Sequence, residues 1–125
     1  MTSTVELTKE NFDETVSGNE FVLIDFWASW CGPCRSFAPV YEKAAEDNPD
    51  LVFGKVDTEA QPELAAAFEI RSIPTLMIVR DQVAVYAQPG ALPAPALADL
   101  IEQARALDMD EVRKSVAAQQ GQAPR

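Results

Sequence analysis

Two hydrophobic periods alternate along the chain. Phe21-Val22-Leu23-Ile24-Asp25-Phe26-Trp27 is an apolar run without polar alternation, the pattern of a strand covered on both faces and therefore central in its sheet. Leu51 to Asp57, Thr75 to Val79 and Val83 to Ala87 read as further strands, and Val5-Glu6-Leu7 as a short one. Between them apolar positions return at helical spacing. Thr8 is placed to cap a helix that Gly18 ends after Ser17. From Cys34 to about Asn48 the residues Phe37, Val40, Tyr41, Ala44 and Ala45 keep a 3.6-residue period around Pro39, whose missing N–H predicts a kink. Pro62 to Phe68 reads as a short alanine-rich helix, and Pro95 to Leu107 sets Leu97, Leu100, Ile101 and Ala104 on one face.

The order of these elements constrains the sheet. Strand, helix, strand from Phe21 to Asp57 predicts a parallel pair. The two strands around Asp81-Gln82 are close enough only for an antiparallel hairpin, although its turn lacks the glycine that two-residue loops favour. The expected fold class is α/β, a central mixed β-sheet flanked by helices on both faces.

At 125 residues the chain has the size of one domain. Its net charge of −10 argues against nucleic acid and anionic membranes. The longest apolar run contains Asp25 and falls short of the ~20 residues of a membrane span. Met1 to Leu7 has neither a basic nor an apolar leader character, so the expectation is a soluble, cytoplasmic monomer.

The charge is uneven: residues 1–105 carry 17 acids and 7 bases, residues 106–125 three of each. Asp108, three residues before Glu111, has the spacing of a capping box, and Met109, Val112 and Val116 fall on one helical face. The expected boundary separates a domain over 1–107 from a helical extension over 108–125. That extension is a helix of about ten residues, or a continuation of the preceding one, followed by a disordered end from Gln120 to Arg125.

Candidate chemistry centres on Trp30-Cys31-Gly32-Pro33-Cys34, which holds both cysteines of the chain. Side chains three apart on a helical turn lie about 5–6 Å from each other, within easy adjustment of a disulfide. With two Cys and no His, a structural zinc site lacks its ligand set. A reversible thiol pair is the better reading, because cytoplasmic disulfides are usually transient and catalytic.

The stretch Asp25 to Cys34, followed by Pro39, Lys55-Val56-Asp57, Ile73-Pro74-Thr75 and Gly90-Ala91, resembles the thioredoxin family over about residues 4–105. The resemblance implies a thioredoxin fold and a redox-active Cys31–Cys34 disulfide. Cys31, at a helix N-terminus where unpaired N–H groups favour an anion, is expected to attack a substrate disulfide, and the more shielded Cys34 to resolve the intermediate. Asp25, desolvated inside an apolar strand, is expected to have a raised pKa. The resemblance implies that it acts as general base for Cys34, with Lys55 as its partner. It also implies that Pro74 is a cis-proline and that Trp30, Gly32, Pro33, Ile73, Thr75 and Gly90 dock the substrate.

The expected activity is that of a cytoplasmic protein-disulfide reductase and electron carrier. No Gly-x-Gly-x-x-Gly follows a strand, so no cofactor of its own is expected, and the resemblance implies an NADPH-dependent thioredoxin reductase as partner. The alternatives are a non-redox binding or structural module and a disulfide oxidase or isomerase; Gly32-Pro33 between the cysteines resembles the reducing members. Arg35 reads as a solvated helix residue, Tyr41 and most other aromatics as core packing.

Overall fold

The computed structural model describes residues 3–121. Ten elements follow one another: β1 (Val5–Glu6), α1 (Phe12–Ser17), β2 (Phe21–Trp27), α2 (Gly32–Asp47), β3 (Val52–Asp57), α3 (Pro62–Ala67), β4 (Thr75–Arg80), β5 (Val83–Pro89), α4 (Ala94–Arg105) and α5 (Met109–Gly121). The strands form one mixed sheet in the order β1-β3-β2-β4-β5. β2 is central, parallel to β3 and antiparallel to β4.

Strand side chains alternate between faces, so the position of each residue in β2 decides what covers it. Phe21 and Leu23 meet Phe37 and Tyr41 of α2 and Leu97 and Ile101 of α4. Val22, Ile24 and Phe26 point the other way, with Leu7, Phe12 and the partly buried Leu64. Asp25 and Trp27, two and four residues beyond Leu23, share the face of α2, and on β3 Lys55 lies on the same face as Phe53. Period two thus sets a carboxylate beneath the helix that carries both cysteines.

One local expectation is corrected. α1 begins at Phe12 because Asn11, not Thr8, is its N-cap. Asn11 folds back on the turn, accepting from the Thr8 N–H at 2.7 Å and donating to the Glu6 carbonyl at 3.0 Å. Pro39 lies inside α2, where the sequence places it. The β4–β5 turn is made without glycine: Asp81 and Gln82 both take left-handed φ, 51° and 67°, the backbone of a two-residue hairpin loop. The β4–β5 register shifts between Ile78 and Val79, where Tyr86 and Ala84 are the opposite residues.

The last helix is separate from α4 and longer than expected. Asp108 Oδ1 accepts from the N–H groups of Asp110 and Glu111 at 3.0 and 3.3 Å, which starts a new helix after a break of three residues following α4. It runs through Gln120 and Gly121, so these two are not part of a disordered end; the rest of that expectation, residues 122–125, lies outside the described residues. Met109 is buried, Val112 and Val116 are half-buried, and Arg113 reaches the Asp81 carboxylate at 2.9 Å.

Candidate active site

The chain leaves β2 at Trp27 and turns through Ala28-Ser29-Trp30 into α2. The Cys31 N–H donates to the Ala28 carbonyl at 3.2 Å, and the Arg35 N–H donates to the Cys31 carbonyl at 3.1 Å as a first helical bond. Cys31 therefore sits at the N-cap with extended backbone, φ −86° and ψ 114°, and a proline follows in the first turn, the position proline favours. The Cys34 N–H donates to Cys31 Sγ at 3.2 Å. The two sulfurs form a disulfide with the Cα atoms 5.2 Å apart. Both residues are buried, packed with Ala28, Trp27 and Ile73.

The second wall comes from the start of β4. The Ile73–Pro74 peptide is cis, and the Ile73 carbonyl oxygen lies 3.7 Å from Cys31 Sγ. Gly90, at φ 112°, donates its N–H to the Pro74 carbonyl at 2.8 Å; a side chain there would be strained by the backbone alone. These contacts place Ile73 against the redox turn and tie Gly90 to Pro74 behind it. Trp30 is 65% exposed, and Gly32 and Pro33 are exposed beside it. Thr75 is buried, its hydroxyl bonded to the Ser72 carbonyl.

Beneath the turn, Asp25 is 1% exposed, and neither carboxylate oxygen has a hydrogen-bond partner among the described residues. Burial pushes its carboxyl up from an ordinary 3.8 to about 7, and the charge of Lys55 pulls back only part of the way. Lys55 is the register partner of Asp25 across the β2–β3 pair. Its nitrogen rests 4.9 Å from the centroid of the Trp27 ring, so a cation–π contact holds it in place. Its influence on Asp25 acts through space.

Two neighbours went unassigned in the sequence. Tyr41 is fully buried, donates its hydroxyl to the Gly54 carbonyl at 2.7 Å, and feels the Asp25 charge, which with burial raises its pKa. Its position seven residues after Cys34, on the same face of α2, was the available signal. Arg35 is not merely solvated: its guanidinium bonds the Ser29 carbonyl at 2.8 Å and braces the turn.

The family model for Thioredoxin matches residues 3–103. The chain belongs to the thioredoxin family. Over 123 residues it is 82% identical to "Putative thioredoxin 2" of Streptomyces coelicolor, covering 98% of this chain and 92% of that protein. It is 45% identical to Thioredoxin C-3 of Corynebacterium nephridii over 79% of this chain and 69% of that one. Among solved structures, a mutant thioredoxin from Halobacterium salinarum superposes with a TM-score of 0.77 at 35% identity, covering 86% of this chain and 96% of that one. A Plasmodium falciparum thioredoxin gives 0.74 at 37% identity over 80% and 98% of the two chains. With the Cys31–Cys34 pair in place, the thioredoxin fold here is that of a thiol–disulfide oxidoreductase.

Proposed function

We propose that the protein is a cytoplasmic protein-disulfide reductase that cycles between the Cys31–Cys34 disulfide and dithiol. The observation that carries this reading is a disulfide at the N-terminus of α2 above a buried, unpartnered carboxylate with a pKa near 7. In the reduced protein the Cys31 thiolate, favoured by the helix N-terminus, attacks one sulfur of a substrate disulfide. A mixed disulfide forms and one substrate thiolate leaves. Asp25 then takes the Cys34 proton, and the Cys34 thiolate attacks Cys31 Sγ. The mixed disulfide breaks, the second substrate thiolate leaves, and the Cys31–Cys34 bond forms. Two electrons have passed to the substrate.

Lys55 supports the ionised form of Asp25. Pro74 shapes the turn facing Cys31, and Trp30, Gly32, Pro33, Ile73, Thr75 and Gly90 supply the docking face, which suits extended segments of many proteins. The proposed partners are disulfide-containing proteins and an NADPH-dependent thioredoxin reductase that returns the two electrons. The protein works as a monomer without a cofactor of its own.

Insulin-disulfide reduction coupled to a thioredoxin reductase and NADPH tests the reading. Cys31→Ser is expected to abolish turnover, and Cys34→Ser to accumulate a mixed disulfide through Cys31. Retained turnover in Cys31→Ser would overturn the assignment. Equilibration with a glutathione buffer decides direction: a Cys31–Cys34 pair that stays reduced where glutathione is mostly oxidised would mark an oxidase or isomerase instead.

A further inference from the structure

Bases in this acidic protein are distributed in a way the reaction does not require. Lys9, Lys43, Arg105, Arg113 and Lys114 each face a carboxylate within 4.0 Å. Among the described residues Arg35, Lys55, Arg71 and Arg80 do not. Arg80 is held at the far end of β4, over the Phe21 ring and bonded to the Ala104 carbonyl, and Lys55 is half-buried against Trp27. The two that remain, Arg35 and Arg71, are exposed, and each is close in sequence to the redox site, Arg35 next to Cys34 and Arg71 two residues before Ile73.

Arg35 immediately follows Cys34. Its Nη1 bonds the Ser29 carbonyl, and its Nη2 lies 4.0 Å from where a side-chain carbon on Gly32 would sit, so the charge is held against the docking face. Arg71 stands two residues before Ile73, whose carbonyl is 3.7 Å from Cys31 Sγ. Two residues of chain span at most about 7 Å. Arg71 lines a cleft of about 270 Å³ with Phe68, Ile70, Ser72, Thr75 and Pro89. Glu69 lines it too but makes no ion pair with Arg71. Elsewhere the surface neutralises its cations within the chain; at this site two guanidinium groups are left for an incoming molecule.

Building on the reductase reading, we infer that Arg35 and Arg71 form a cationic rim that selects disulfide substrates carrying carboxylate side chains within a few residues of the attacked cysteine. The occupant is an extended acidic peptide segment lying across the Ile73–Pro74 turn. Its apolar contacts come from Trp30 and Ile73, and its orientation from the two guanidinium groups. A guanidinium offers a carboxylate two parallel N–H donors, and exposed pairs add a modest preference that salt screens.

The test uses the full chain and two synthetic peptides, each cyclised by one disulfide and identical except for glutamates or lysines within three residues of the cysteines. Each rate is normalised to reduction of the same peptide by dithiothreitol. At low salt kcat/KM is expected to favour the glutamate peptide by about three- to tenfold, and at 1 M salt, where the screening length is about 3 Å, the ratio should fall towards one. Arg35→Gln combined with Arg71→Gln should bring the low-salt ratio within about twofold of one, and Arg71→Glu alone should lower it. Equal rates at low salt, a salt-insensitive ratio, or a preference retained in the double variant would each overturn the rim. Failure to reduce either peptide or insulin would overturn the reductase reading instead.

Discussion

At the scale of single residues, Asp25 links stability to chemistry. Its folded-state pKa of about 7 lies above the ordinary 3.8, so between these values the folded protein holds a proton that the unfolded chain has released. The unfolded state then binds fewer protons, and stability falls as pH rises from about 4 to about 7 before levelling off. A shift of this size corresponds to about 4 kcal/mol. Asp25→Asn should remove that slope, measured as denaturant stability at pH 4, 6 and 8. The same substitution should slow insulin reduction about 10- to 100-fold at pH 8 and flatten the rise in rate through pH 7. Replacing Lys55 by Met removes the charge that lowers the Asp25 pKa, so the rise should move to higher pH; an unmoved profile would show that Lys55 does not act on Asp25. Asp25 was legible in the sequence because an aspartate inside Val22-Leu23-Ile24-Asp25-Phe26-Trp27 has few ways to reach water. The contact of Lys55 with Trp27 and the bond from Tyr41 to Gly54 were not, since each joins residues far apart in sequence through side-chain orientation.

At the scale of elements, periodicity located every strand and helix, and the differences lie at their ends. A helix start depends on which polar side chain folds back on the backbone. Thr8 and Asn11 both qualify by residue type; α1 starts after Asn11, whose amide bonds none of the helix's own N–H groups and instead ties the preceding turn, accepting from the Thr8 N–H and donating to the Glu6 carbonyl. The Asp81-Gln82 turn also reads poorly in sequence, because its left-handed backbone is set by the strands it joins rather than by a glycine. Gln82 at φ 67° has the conformation that glycine adopts freely. Gln82→Gly is therefore expected to stabilise the fold by about 0.5–1 kcal/mol, the relieved backbone cost less the greater freedom of the unfolded chain. Asp108→Ala should cost about 1 kcal/mol through loss of the α5 cap. Chemical denaturation checks both, and neither should alter insulin reduction, since both positions lie outside the redox turn.

At the scale of the whole molecule, the redox site and α5 occupy different parts of the fold. The Thioredoxin family model ends at residue 103, the two core clusters draw on residues 7–104, and among the described residues the cysteines pack with Trp27 at the end of β2, Ala28 after it and Ile73 just before β4. Contact of α5 with the rest is modest: the buried Met109, two half-buried valines and the Arg113–Asp81 ion pair at the hairpin turn. The change in charge balance after residue 105 marked this division in the sequence, but it could not show where the helix would rest. Removing residues 108–125 is expected to keep insulin reduction within about twofold of the full chain. The loss in stability should be about 2–3 kcal/mol, most of it from Met109, since burying such a side chain contributes about 1.5–3 kcal/mol and an exposed ion pair about 0–1. Met109→Ala in the full chain should reproduce most of that loss without changing the rate. A truncated protein that folds but no longer reduces insulin would place α5 within the catalytic unit, and the boundary at residue 107 would then be wrong.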